Sequence, residues 1–215
     1  MTRKRVGVLI SGRGSNLQAL IEACKVADYP AAIVLVVSNV PGAQGLARAE
    51  SAGIPTLTIN HKSFASREDF DQALCRALAE AKVDLLCNAG FMRLHTEGFV
   101  ERWRDRHLNI HPSLLPAFKG LDTHARVLAA GVAITGCTVH FVRKEMDEGP
   151  IVAQAAMPVL SGDTADSLAA RVLEAEHLLY PHALKMVASG TIHVEGERIA
   201  GRETPNQPPL FSPPL

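Results

Sequence analysis

Apolar and polar positions along this chain fall into two alternating periods. Residues 5–11, RVGVLIS, form an unbroken apolar run that stops at glycines, as a strand buried on both faces does. Residues 15–25, SNLQALIEACK, then place Leu17, Leu20, Ile21 and Cys24 at helical spacing. The alternation repeats. Residues 31–39 predict a strand, 45–53 a short helix ended by Gly53, and 54–59 a third strand. A long helix is predicted over 66–82: Ser66 can cap its free N–H groups, and Glu68 and Asp69 suit its positive dipole end. Residues 83–90 and 107–111 predict strands four and five, and 125–131 a helix. Residues 134–142 and 150–159 look like a strand pair. A long helix over 164–190 follows, with Pro181 marking a kink, and then a hairpin over 191–201.

Strands alternating with helices predict an α/β fold: a Rossmann-like, mostly parallel sheet with helices on both faces. The C-terminal part adds antiparallel strands and the long helix. Residues 1–201 are expected to form one domain, and the Pro-rich 202–215 a mobile tail. Such sheets bind ligands outside the carboxyl ends of their strands, so the loops after strands one, four and five come first.

Composition narrows the chemistry. The 215 residues are 47% hydrophobic, enough for a sizeable core. With 22 basic and 22 acidic residues the chain lacks the charge footprint of a nucleic-acid binder, though a small anion needs only a local site. Cys24, Cys75, Cys87 and Cys137 form no C-x-x-C pair and read as free thiols in a reducing compartment. The N-terminus MTRKRVGVLIS has too short an apolar run for a signal peptide or membrane span, so the expected place is the cytoplasm.

After strand one comes SGRGSN. Gly12 and Gly14 allow a tight turn, and the next helix directs its free N–H groups at that loop. The alternatives are an anion site and a plain glycine turn. The third glycine of a dinucleotide fingerprint is replaced by Leu17, which favours a terminal phosphate. After strand four, AGFMRL sets Phe91, Met92 and Leu94 around Arg93, either a wall for a flat ring or ordinary core. After strand five, Asn109 and His111 share one face, and Pro112 holds His111 at the strand's end. They could meet a ligand or cap the sheet as a hydrogen-bonded pair. Asp147, in HFVRKEMDEGP, is a carboxylate for the imidazole or a solvated turn residue. No HExxH, G-x-S-x-G or clustered Cys/His supports metal or serine chemistry, and no metal is expected.

GRGSNLQALIEA, AGFMR, NIHPSLLP and HFVRKEMDEGP, in this order and spacing, resemble the folate-dependent formyltransferases, over about residues 5–190. The likeness is strongest to the branch that acts on phosphoribosylglycinamide. It implies transfer of a formyl group from 10-formyltetrahydrofolate, a co-substrate, to the glycinamide amine in purine biosynthesis, through a tetrahedral intermediate. It implies catalysis by Asn109, His111 and Asp147, and glycinamide binding by Gly14, Ser15, Asn16 and Glu176. The formyl-donor site would take Arg67, Met92, Arg93, Leu94, His95 and Asn109, with the backbone from Arg143 to Asp147 near the pterin. The expected partners are small molecules, without nucleic acid or membrane, and the expected state is a monomer or homodimer.

Departures from the family pattern fall at Ala117, Lys119 and Asp122, near the phosphoribosyl side, and at His95, a polar residue in a usually apolar wall. The rival readings are formyltetrahydrofolate deformylase, with water in place of the amine, and other folate-dependent formyltransferases such as the methionyl-tRNA enzyme. A non-catalytic nucleotide-binding module would require the Asn109, His111 and Asp147 grouping to be accidental. A nicotinamide oxidoreductase is disfavoured by Leu17 and by the missing ribose acid.

Overall fold

The computed structural model describes residues 2–202, 206 and 208–213. The expected tail, 202–215, therefore lies in good part outside the described residues.

Seven strands make one sheet in the order β3-β2-β1-β4-β5-β6-β7. They are β1 (Lys4–Ile10), β2 (Ala31–Ser38), β3 (Thr56–Thr58), β4 (Leu85–Asn88), β5 (His107–His111), β6 (Ile134–Phe141) and β7 (Ile151–Pro158). The first five are parallel to one another, while β6 and β7 are antiparallel to their neighbours. A separate hairpin pairs β8 (His193–Glu195) with β9 (Arg198–Ala200). The helices are α1 (Ser15–Lys25), α2 (Gln44–Ser51), α3 (Arg67–Glu80), α4 (Glu97–Arg102), α5 (Thr123–Ala129) and α6 (Ala165–Ser189).

Alternate residues of β1 serve two cores. Val6, Val8 and Ile10 join Leu17, Leu20 and Ile21 of α1 and Tyr180, Ala183 and Leu184 of α6 on one face. Leu9 joins Phe70, Leu74 and Leu78 of α3 and Phe99 and Trp103 on the other. A Cβ on Gly7 would lie 2.8 Å from Leu78, so only glycine lets α3 sit this close to the sheet. Ser66 caps α3 by accepting from the Asp69 N–H. Thr164 and Ser167 form a reciprocal capping box on α6, which runs on through Pro181.

The predicted architecture is the observed one, with corrections to its parts. The third strand keeps three of the six expected residues, and the fourth begins at Leu85 rather than 83. The fifth helix starts at Thr123, two residues early. Helix α4 and a 3-10 turn at His61–Ser63 were not predicted. The four cysteines are free. Burial pushes the Cys24 thiol up to about 11 and those of Cys87 and Cys137 to about 12, so all three resist ionisation. Among the described residues no helix is long and apolar enough to cross a membrane.

Candidate functional site

The parallel order reverses direction between β1 and β4, and the predicted residues gather at the carboxyl ends around that switch. Gly14 is the N-cap of α1 in the left-handed conformation, with φ 70°. A Cβ there would come within 2.7 Å of Gly45, so the loop packs against the start of α2 as only glycine can. Gly12, expected to serve the same end, has open space around it and needs no special backbone. No side chain caps α1, so its first N–H groups keep the positive end of the dipole unscreened.

Asn16, the second residue of α1, donates its Nδ2 to Glu176 Oε2 at 2.7 Å. Glu176 reaches this point from the middle of α6 and is 7% exposed. Burial pushes its carboxyl above the ordinary range, with the Asn16 bond opposing. Asn16 Oδ1, also buried, has no partner among the described residues.

On β5, Asn109 and His111 do lie on one face, but they serve different neighbours. His111 Nδ1 is 3.4 Å from Asp147 Oδ2, and its Nε2 is 2.9 Å from the Phe118 carbonyl. A carbonyl only accepts, so Nε2 carries a proton, and the ring has an acceptor on each side. Asp147 Oδ2 also accepts the Gly120 N–H at 2.8 Å. Asp147 adopts φ 54°, which aims the carboxylate back at the strand end from a loop. That loop is pinched at its neck, where a Cβ on Gly149 would strike the Phe141 carbonyl at 2.2 Å. Asn109 touches neither His111 nor Asp147 by hydrogen bond. Its Nδ2 donates to His140 Nε2 at 3.2 Å. Burial keeps His140 below its ordinary value, hence neutral, and its Nδ1 donates to the Phe141 carbonyl at 3.0 Å. The bare Nε2 can then accept one amide hydrogen of Asn109, leaving the other for a ligand.

Sequence reasoning did not find His140. It also missed Thr138, which is fully buried beside His111 in the strand register. Thr138 Oγ1 accepts from Leu115 N at 3.0 Å and Gln154 Nε2 at 2.9 Å, and donates to the Ser113 carbonyl at 2.7 Å. The NIHPSLLP segment is thereby fastened to β6 and β7. The available signal was the spacing of T-V-H in β6, which places both polar residues on the same face of a strand buried on both sides.

The expected formyl-donor residues divide. Met92 and Leu94 are large apolar side chains 70% and 57% exposed, with exposed Arg93 between them. Arg67, also exposed, opens α3. The other two side chains are engaged within the protein, and for Arg143 only the backbone was expected at the donor site. The His95 ring faces inward, stacked between Phe91 and Phe99 at 5.1 and 4.1 Å, so its side chain lines no open wall. Its Nδ1 meets the Asp71 carboxylate at 3.3 Å. The Arg143 guanidinium is drawn off to Asp105 at 2.6 Å and Glu197 at 2.8 Å, leaving only its backbone for a ligand. A groove of about 600 Å³ between α3 and α4 contains none of Asn109, His111 or Asp147.

Residues 4–184 match the formyl transferase family. The chain belongs to that family. It is 43% identical to phosphoribosylglycinamide formyltransferase of Escherichia coli, over 93% of this chain and 95% of the relative. It is 55% identical to the trifunctional purine biosynthetic protein adenosine-3 of Gallus gallus over 88% of this chain, but spans only 19% of that protein's length. The solved structure of glycinamide ribonucleotide transformylase 1 from Symbiobacterium toebii superposes with a TM-score of 0.89 at 46% identity, covering 92% of this chain and 93% of that one. Formyltetrahydrofolate deformylase from Burkholderia mallei shares the fold at a TM-score of 0.83 but is 26% identical, with 92% of this chain and 69% of that one covered.

Proposed function

We propose that this chain transfers the formyl group of 10-formyltetrahydrofolate to the amine of phosphoribosylglycinamide in purine biosynthesis. The observation that carries the reading is the set formed by an uncapped helix N-terminus after β1, a buried Asn16–Glu176 pair and the His111–Asp147 contact at the carboxyl end of β5.

Each part has a task. The Gly14, Ser15 and Asn16 backbone at the start of α1 receives the phosphate. Glu176 and Asn16 present buried acceptors to ribose hydroxyls, Asn16 Oδ1 being unpaired among the described residues. Met92 and Leu94 offer apolar surface to a flat ring, and Arg67 and Arg93 offer charge to a carboxylate. His95 and Arg143 contribute through their backbone, since both side chains are engaged elsewhere.

The formyl donor supplies an activated carbonyl carbon and an amine leaving group. As the glycinamide amine adds to that carbon, negative charge grows on the formyl oxygen. The free amide hydrogen of Asn109 stabilises it, and the Nε2–H of His111 joins once it exchanges the Phe118 carbonyl for the formyl oxygen; losing one such donor costs about 10²–10³ in rate. Asp147 orients the imidazole, stabilises its protonated form and helps carry the proton from the attacking amine towards the departing nitrogen. The partners on this reading are two small molecules, and the place is the cytoplasm.

Deformylase activity is the competing reading, and the phosphate-directed N-terminus of α1 speaks against it. The test is a spectroscopic assay of 10-formyltetrahydrofolate turnover, with and without phosphoribosylglycinamide, on wild type and His111→Ala. Turnover that needs the glycinamide and is lost in the variant is the expected result. Turnover without any amine would move the assignment to the deformylase.

A further inference from the structure

Residues 91–96 join β4 to α4 and carry Met92, Arg93 and Leu94. This strap exposes its middle and is fastened at both roots by side chains that the reaction does not use. At the first root, Ser11 Oγ accepts the Met92 N–H at 2.8 Å and donates to Asn39 Oδ1 at 2.6 Å. At the second, the Asp71 carboxylate accepts the Thr96 N–H at 2.6 Å and the Thr96 hydroxyl at 2.8 Å, and meets His95 Nδ1 at 3.3 Å. A carboxylate only accepts, so His95 Nδ1 is a donor. The stacking of His95 between Phe91 and Phe99 fixes the same root from its sides.

Asp71 is 3% exposed. A buried carboxylate is costly and is retained where specific donors hold it. A core position needing only volume would be filled better by leucine, so three directed hydrogen bonds to one root call for another explanation. The helix geometry supplies it. Asp71 lies four residues after Arg67 on α3, one turn along the same face. The bonds from Asp71 therefore tie the element carrying Arg67 to the strap carrying Met92, Arg93 and Leu94.

We propose that Asp71 is a positioning residue for the formyl-donor site. It sets the spacing between Arg67 and the Met92–Leu94 wall, while Ser11 pins the opposite root and links the strap to the 11–16 loop. This inference rests on the folate reading above. Asp71 touches no substrate, so its loss weakens the donor site and spares both the phosphate end and the chemistry.

Steady-state kinetics on Asp71→Ala and Asp71→Asn, with each substrate varied and a thermal melt alongside, test it. For Asp71→Ala the KM for 10-formyltetrahydrofolate rises about tenfold, while kcat and the KM for phosphoribosylglycinamide move less than about threefold. Asp71→Asn keeps a carbonyl for Thr96 and recovers part of the loss. A lower melting temperature with unchanged KM values would mean a purely structural role and overturn the proposal. A fall in kcat at constant KM would overturn it too. Should Asp71→Ala fail to fold, a cycle of Asp71→Asn with Arg67→Ala decides. Positioning makes the combined rise in donor KM smaller than the product of the single effects, and a simple product overturns it. If wild type shows no turnover requiring both substrates, the functional reading falls and takes this inference with it. Wild-type turnover with an unchanged donor KM in the variants removes the inference alone.

Discussion

Asn16 and Glu176 meet side chain to side chain across 160 positions of sequence, each standing on a long helix packed against the sheet. His111 and Asp147 are held differently. The ring stands at a strand end and donates to the Phe118 carbonyl, and the carboxylate sits on a loop and accepts from the Gly120 N–H. One end of the site is therefore built from rigid elements and contains an acceptor with no partner among the described residues. The other is built from loop backbone that already occupies the reactive groups. Packing of α1 on α6 fixes the first; the conformation of residues 118–120 and 143–149 fixes the second. Changes at the first end should act on binding, and changes at the second on turnover.

The largest effect that would sharpen this contrast is Asp147→Asn. Turnover should fall by about 10²–10⁴, with both KM values within about threefold of wild type. Initial-rate kinetics check it, and a rise in KM at constant kcat would break the contrast. Glu176→Gln should do the reverse: the KM for the ribonucleotide rises about tenfold and kcat stays near wild type. Thr138→Val acts beneath the loop-built end. It removes the acceptor of Leu115 and Gln154 and the donor to Ser113. Stability should drop by about 1–3 kcal/mol in urea unfolding, with a smaller loss of kcat.

The smallest effect concerns pH, and burial acts with opposite signs on two buried histidines of β5 and β6 and on Glu176. Burial holds His107 and His140 below the ordinary imidazole value. Below about 6.5 the unfolded chain binds more protons than the native one, so their contribution is complete above that value and is lost as pH falls through the folded values. Glu176 is raised, so in its window the native protein binds more protons. Its contribution is present below the ordinary glutamate range and declines as pH rises through the folded value. Urea unfolding across pH should show Glu176→Gln without the decline on the upper side and wild-type behaviour on the acid side. Equal changes on both sides would break the assignment.

Much of the fold was legible because β1, β2 and β4 are buried runs bounded by turn residues, and α1, α3 and α6 repeat apolar positions at helical spacing. Helix α4 escaped because EGFVER is six residues long with a glycine in its first turn, too short for a period to register, though Thr96 caps it by accepting from the Phe99 N–H. In the site, Asn109 and His111 stood out because they share one face of a strand that Pro112 ends, and Asp147 because it follows a strand beside Gly149. His140 and Thr138 did not, because inside an apolar strand a polar residue looks the same whether it supports a neighbour or is merely tolerated.

Local periodicity and turn chemistry, which need only nearest neighbours along the chain, determined the parallel sheet, the helices on both faces and the loops worth searching. Tertiary structure alone decided that Glu176 meets Asn16, that His95 turns into an aromatic stack, that Arg143 is spent on Glu197, and that Asp71 holds the strap. The Asp71, Arg143 and Glu176 contacts join residues 24, 54 and 160 positions apart, whereas the stack sets Phe91, His95 and Phe99 at four-residue spacing. Which distant groups meet is set by how helices and sheet pack into one volume, and no spacing along the chain encodes it.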